Sequence, residues 1–153
     1  TARHLLSGRI QTRMPARDRD KDMSLHYVMI GTSDIARARA FYDAVFPCFG
    51  GQLELAVPDY GFCYMFRNGS RTWVATPYNR EAPAPGNGFM PGYVCASPAE
   101  IDAAHAAALA NGGTDEGAPG PRPAYGPNFY GGYVRDPDGN KLGFIFGETW
   151  VKL

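Results

Sequence analysis

The sequence predicts an α+β protein of two βαβββ modules, and three observations carry that prediction. Strand-like runs surround one capped amphipathic helix in the first half of the chain. The same order returns at an offset of 64, and a stretch rich in Pro, Gly and Ala separates the two copies.

The first element is the β-rich run LHYVMIG from Leu25, followed by Thr32-Ser33-Asp34, residue types that cap helices. A helix is expected next. Ile35, Ala38, Phe41, Tyr42 and Val45 fall on one helical face while Arg37, Arg39 and Asp43 fall on the other. Pro47 and Gly50-Gly51 end it. Three strands are expected over 52–57, 60–66 and 72–76, and Asn68-Gly69 marks a tight hairpin between the last two. The first module is therefore placed at 23–79, the linker REAPAPGNG at 80–88 and the second module at 89–153.

The repeat rests on pattern more than on identity. At a shift of 64, His26 falls on Met90, Ser33 on Ser97, Tyr42 on Ala106 and Val45 on Leu109. At a shift of 70, the turn Asn68-Gly69 meets Asp138-Gly139, and Thr72-Trp73-Val74 meets Leu142-Gly143-Phe144. Within the second copy the segment GAPGPRPAYGPN, residues 117–128, is expected to be a loop lying over a cavity, because Pro and Gly interrupt the alternation of a strand. In Asp136-Pro137-Asp138-Gly139, Pro137 presets φ and Gly139 tolerates positive φ, so the flanking strands can reverse tightly.

Length and composition bound the function. The 153 residues are 44% hydrophobic and 13% aromatic, enough for a core, and Lys+Arg balances Asp+Glu at 15 each. That balance argues against nucleic acid as a partner and points to a small molecule. No apolar run approaches the ~20 residues that span a bilayer, so no membrane partner is expected. Cys48, Cys63 and Cys95 are an odd, widely spaced set without a CxxC, and are read as reduced thiols in a cytoplasmic setting. Six basic side chains, Arg3, Arg9, Arg13, Arg17, Arg19 and Lys21, against three acids make residues 1–22 a basic segment, expected to be a disordered leader or extension. A transit peptide, a docking arm and an extension ahead of a start at Met23 stay open as its readings. P-loop, GxGxxG, GxSxG and HExxH motifs are missing from the sequence.

His26-Tyr27-Val28 entering a strand, Asp34 opening a helix with Phe41-Tyr42, and the stretch Tyr125-Gly-Pro-Asn-Phe-Tyr130 before Val134-Arg-Asp-Pro-Asp-Gly-Asn140 resemble the vicinal oxygen chelate superfamily, which includes glyoxalases, bleomycin-resistance proteins and extradiol dioxygenases. The resemblance covers about residues 25–147. It implies that each module curves its sheet, that the halves pair edge to edge around a shared cavity, and that a homodimer forms. It also implies four positions from which metal-dependent members hold a divalent ion, and here these fall on His26, Trp73, Met90 and Gly143. Only His26 offers an ordinary ligand: indole has no acceptor lone pair, a thioether is soft and glycine has no side chain. The sequence reading is therefore of no metal and no cofactor, with a nonstandard site combining His26 with Cys63, Glu54 or Asp59 left open.

His26 is the one candidate catalytic residue, as a base next to a carbonyl. Tyr60, Phe62, Tyr64 and Phe66 alternate on one strand face, with Cys63 and Met65 on the other, so one set packs on a helix and the other looks into the cavity. Cys63, Trp73 and Met90 are candidate ligand contacts, and Phe129, Tyr130 and Tyr133 add aromatic surface suited to a planar ligand. Arg122, Tyr125 and Asn128 supply candidate polar contacts, with Arg122 placed to grip a carboxylate or phosphate. The leading expectation is a protein that binds a small organic molecule without a catalytic metal. A metal-dependent lyase, isomerase or dioxygenase using His26 as ligand or base, with Tyr125 or Tyr130 as proton donor or orienting group, is the alternative, and an interaction module with a filled cavity is a third, so whether the chain is an enzyme stays open.

Overall fold

A computed structural model describes residues 24–147. The basic segment 1–22 and the end of the second module lie outside the described residues. The elements run β1 (Tyr27–Gly31), α1 (Ile35–Val45), β2 (Gln52–Val57), β3 (Gly61–Met65), β4 (Arg71–Ala75), β5 (Gly92–Val94), α2 (Pro98–Ala110), β6 (Thr114–Pro121), β7 (Tyr130–Arg135) and β8 (Lys141–Phe146). They form two four-stranded mixed sheets, ordered β1-β4-β3-β2 and β5-β8-β7-β6, each with one parallel and two antiparallel pairings. The architecture is α+β with two βαβββ units.

Both helices start where an oxygen-bearing side chain satisfies an orphan amide. Asp34 accepts from the Arg37 amide at 2.9 Å, and Ser97 accepts from the Glu100 amide at 3.3 Å. The caps fix the repeat one residue differently from the sequence alignment. Asp34, not Ser33, answers Ser97, so Tyr27 rather than His26 answers Met90. Thr32, Ser33 and Asp34 are all capping types, and local propensity does not choose among them.

Segment 117–128 also departs from expectation. Its first part belongs to β6, which pairs antiparallel with β7 through two register shifts, between Asp115 and Gly117 and between Gly117 and Gly120. β6 is an edge strand, where a missing proline N–H costs no ladder bond, and the bulges absorb the extra residues. Only the part after Pro121 is a loop, with a 3-10 turn at Pro123–Tyr125.

One core joins the modules. Ala38, Phe41, Tyr42 and Val45 of α1 and Ile101, Ala104 and Ala108 of α2 are buried against Phe62, Tyr64 and Val74 of the first sheet and Val134, Leu142 and Phe144 of the second. Phe46 and Phe49, on the short turn after α1, sit 5.1 and 5.6 Å from the Tyr93 ring of β5. Phe49 is also 5.5 Å from Phe144 of β8. No hydrogen-bonded ladder links the sheets within the described residues. The helix-bearing faces share the core, and the opposite face of each sheet turns away from it.

Hydrogen bonds add a second tie. Tyr42 Oη donates to Asp136 Oδ2 at 2.6 Å, Thr32 Oγ1 donates to Asp138 Oδ2 at 2.6 Å, and Asn140 Nδ2 donates to the Gly31 carbonyl at 3.0 Å. The Asp-Pro-Asp-Gly-Asn turn thus reverses β7 into β8, as its sequence requires, and also clamps the start of α1 in the other module.

Candidate ligand-binding faces

Side chains alternate across a sheet, so strand register determines what each open face carries. On the first sheet Met29 pairs with Trp73, Trp73 with Cys63, and Cys63 with Leu55, placing four side chains in one row across four strands. The equivalent row on the second sheet is Gly92, Gly143, Tyr133 and Gly117. The first face is apolar and open: Tyr27, Met29, Leu55 and Val57 are exposed, and the Trp73 ring lies 6.3 Å from that of Tyr60.

The charged groups Arg71 and Glu54 pair with each other on the first face. Arg71 donates from Nε at 2.6 Å and from Nη2 at 2.9 Å to the Glu54 carboxylate, and this bond holds Glu54 below the usual carboxylate range. Cys63 Sγ lies 3.9 Å from Glu54 Oε2; burial, helped by that carboxylate, pushes its thiol up to about 11. A thiol so placed stays protonated at neutral pH and is a packing contact, not a nucleophile. His26 stands just before β1, exposed, edge-on to the Tyr27 ring at 5.9 Å.

The second face gathers Met90, Arg122, Tyr125 and Tyr133. Burial raises the Tyr133 hydroxyl above its ordinary range, and the neighbouring Tyr125 adds to the shift. Tyr125 packs edge-on against Phe129 at 5.3 Å. Asn128 and Tyr130 are not on this face. They line a separate cleft of about 410 Å³ with Pro98, Phe129 and Phe146, and Tyr130 Oη donates to Asp102 of α2 at 2.7 Å. The candidate contacts therefore fall into three places: Cys63 and Trp73 on the first face, Met90, Arg122 and Tyr125 on the second, and Asn128 and Tyr130 beside α2.

A model of the Glyoxalase/Bleomycin resistance protein/Dioxygenase superfamily matches residues 24–144. The chain belongs to this superfamily. Among solved structures, a glyoxalase/bleomycin resistance protein from Albidiferax ferrireducens is 34% identical, covers 81% of this chain and 98% of its own, and superposes with a TM-score of 0.72. A glyoxalase-related enzyme from Fulvimarina pelagi (18% identity, 80% and 87% covered, TM-score 0.64) shares the fold. So does a lactoylglutathione lyase from Agrobacterium tumefaciens (19% identity, 81% and 93% covered, TM-score 0.59). A search of curated protein sequences finds no match.

The residues at the superfamily's metal positions do not fit a divalent ion. With the repeat corrected by one residue they are Tyr27, Trp73, Met90 and Gly143: a phenol, an indole, a thioether and no side chain. The space at Gly143 is taken, since a Cβ there would lie 3.2 Å from Tyr133 Cε1 and 3.4 Å from Met90 Cε. Among the described residues no three His, Cys, Asp or Glu side chains gather to hold a metal. Period two along the chain groups Cys63 with Met65, but the rows across strands need the register, and Glu54 escapes alternation because it sits at the register shift between Leu53 and Leu55.

Proposed function

We propose that this superfamily member binds a small organic molecule on its open sheet faces, without a resident metal, and that a second copy of the chain covers those faces. The row Met29, Trp73, Cys63 and Leu55 carries the reading, because it presents apolar surface around Trp73, which stands at one of the superfamily's metal positions. Met29 is 43% and Leu55 49% exposed, and contiguous exposed apolar surface of this kind marks a ligand or partner site. Sequestration of a toxic compound is the form of binding that fits a face whose described thiol, Cys63, is kept protonated by burial. Three free thiols, two of them buried, fit a reducing, cytoplasmic compartment.

The test is to dialyse the protein against chelator, measure its metal content, and follow melting temperature with Zn, Mn, Fe, Co, Ni and a panel of planar organic compounds. The expected result is stabilisation by a subset of the organic compounds, part of it lost in Trp73→Ala, with no metal-specific shift. Stoichiometric metal, or ligand binding that requires it, overturns the reading. Sedimentation equilibrium is expected to give a dimer.

A further inference from the structure

The second face carries a device that its fold alone does not require. Tyr133 does not stand up from the sheet but lies across it. A Cβ at Gly143 would meet Tyr133 Cε1 at 3.2 Å, one at Gly117 would meet Cδ2 at 2.9 Å, and one at Gly131 would meet Oη at 3.2 Å. The ring therefore occupies the space of three missing side chains on three strands. Its other side is turned away from the sheet.

Two cations attend that ring. Arg122 Cζ lies 5.8 Å from the ring centroid and Lys141 Nζ lies 5.9 Å from it. Arg122 donates to the carbonyls of Pro121 at 3.2 Å and Ala118 at 2.7 Å, which orient the guanidinium without neutralising it. Among the described residues neither cation pairs with a carboxylate, and the nearby Glu116 is taken by Arg135. Two positive charges over one tyrosine leave this face electropositive, whereas on the first face Arg71 is matched by Glu54.

We infer that Tyr133 is a stacking platform for a planar aromatic carboxylate whose anionic group is held by Arg122 and Lys141. The inference deepens the small-molecule reading above and rests on it. The aromatic part lies on the Tyr133 ring, as offset stacking favours, and the carboxylate replaces solvent around the two cations. Arg122, with its fork, takes the carboxylate in two hydrogen bonds; Lys141 contributes a point charge.

The test uses the full chain with two probes of the same shape, 2-naphthoate and the neutral 2-naphthalenemethanol, by calorimetric titration. The naphthoate is expected to bind about tenfold more tightly, the usual scale of one charge-assisted contact. Lys141→Met and Arg122→Met each shrink that preference several-fold while leaving the alcohol's affinity unchanged, and Tyr133→Leu weakens both probes. In the unmodified protein, naphthoate affinity falls as NaCl rises and the alcohol's does not, a readout that needs no variant. Equal affinities, or a preference untouched by the two cation variants, overturn the inference. Binding of both probes that depends on Trp73 alone overturns it while leaving the small-molecule reading in place. Failure of this protein to bind either probe or any compound of the wider panel removes both.

Discussion

The hairpin turn of each module reaches across to the other module, yet the two turns grip by different chemistry. Both turn on a glycine at φ +89, Gly69 in the first and Gly139 in the second. The second module's turn buries its contact: Asp136 is 4% exposed and accepts from Tyr42, from Asn140 and from the Asp138 and Asn140 amides. The first module's turn offers an exposed pair, Arg67 Nη2 to Glu100 Oε1 at 2.7 Å, beside a cleft of about 340 Å³ over Phe49, Phe66 and Tyr93. Related backbone therefore does not imply related energetics. A satisfied buried network fixes how the modules meet, whereas an exposed ion pair shares its charges with water.

Substitutions at the two turns measure that difference. Asp136→Ala is expected to have the largest effect, a loss of about 3 kcal/mol in urea unfolding, because it strands the buried Tyr42 hydroxyl and breaks a connected network. Asp138→Asn follows, at about 1–2 kcal/mol, since it weakens bonds from Thr32, Ser33 and Arg37 to a side chain only 7% exposed. Burial alone would raise the Asp138 carboxyl, but those hydrogen bonds and the Arg37 charge together outweigh it and hold the group below its ordinary range. A depressed folded-state pKa stabilises above the unfolded value and is lost as pH falls through the folded one. The advantage of the parent over Asp138→Asn is therefore present at neutral pH and shrinks below about pH 4, as unfolding midpoints across pH would record. Asp136 has the opposite sign: burial raises its carboxyl, so it does not add to that acid-sensitive part.

On the first module's side, Tyr93→Phe is expected to cost about 1 kcal/mol by leaving the buried Thr72 hydroxyl without its partner at 3.0 Å. Arg67→Ala is expected to have the smallest effect, a shift in unfolding midpoint that disappears at about 0.5 M salt, where the screening length falls to a few ångströms. A large, salt-insensitive loss at Arg67 would mean that the two grips are equivalent after all.

Much of this arrangement is legible before folding because it is local. The α1 stripe of Ala38, Phe41, Tyr42 and Val45 is buried as its period requires, and β2 spans the expected 52–57. Two features were obscured for local reasons as well. Three successive capping types hid which residue begins α1, displacing His26 onto the place of Tyr27, and the prolines of β6 disguised an edge strand as a loop. Tyr130 and Asn128, adjacent to face residues in sequence, went to a different surface because alternation sends Tyr130 toward α2.

By itself the sequence determined the turns, the alternating faces and the duplicated plan, since each depends on residues a few positions apart, and it narrowed the α1 cap to three successive residues. Only tertiary structure decided that Tyr42 meets Asp136, 94 positions away, and that the two sheets bury their helix-bearing faces in one core. It alone laid Tyr133 flat over Gly143 and brought Arg122 and Lys141 to the same ring. Those contacts join strands whose register is set by packing over the whole core, and no short window of sequence carries that information.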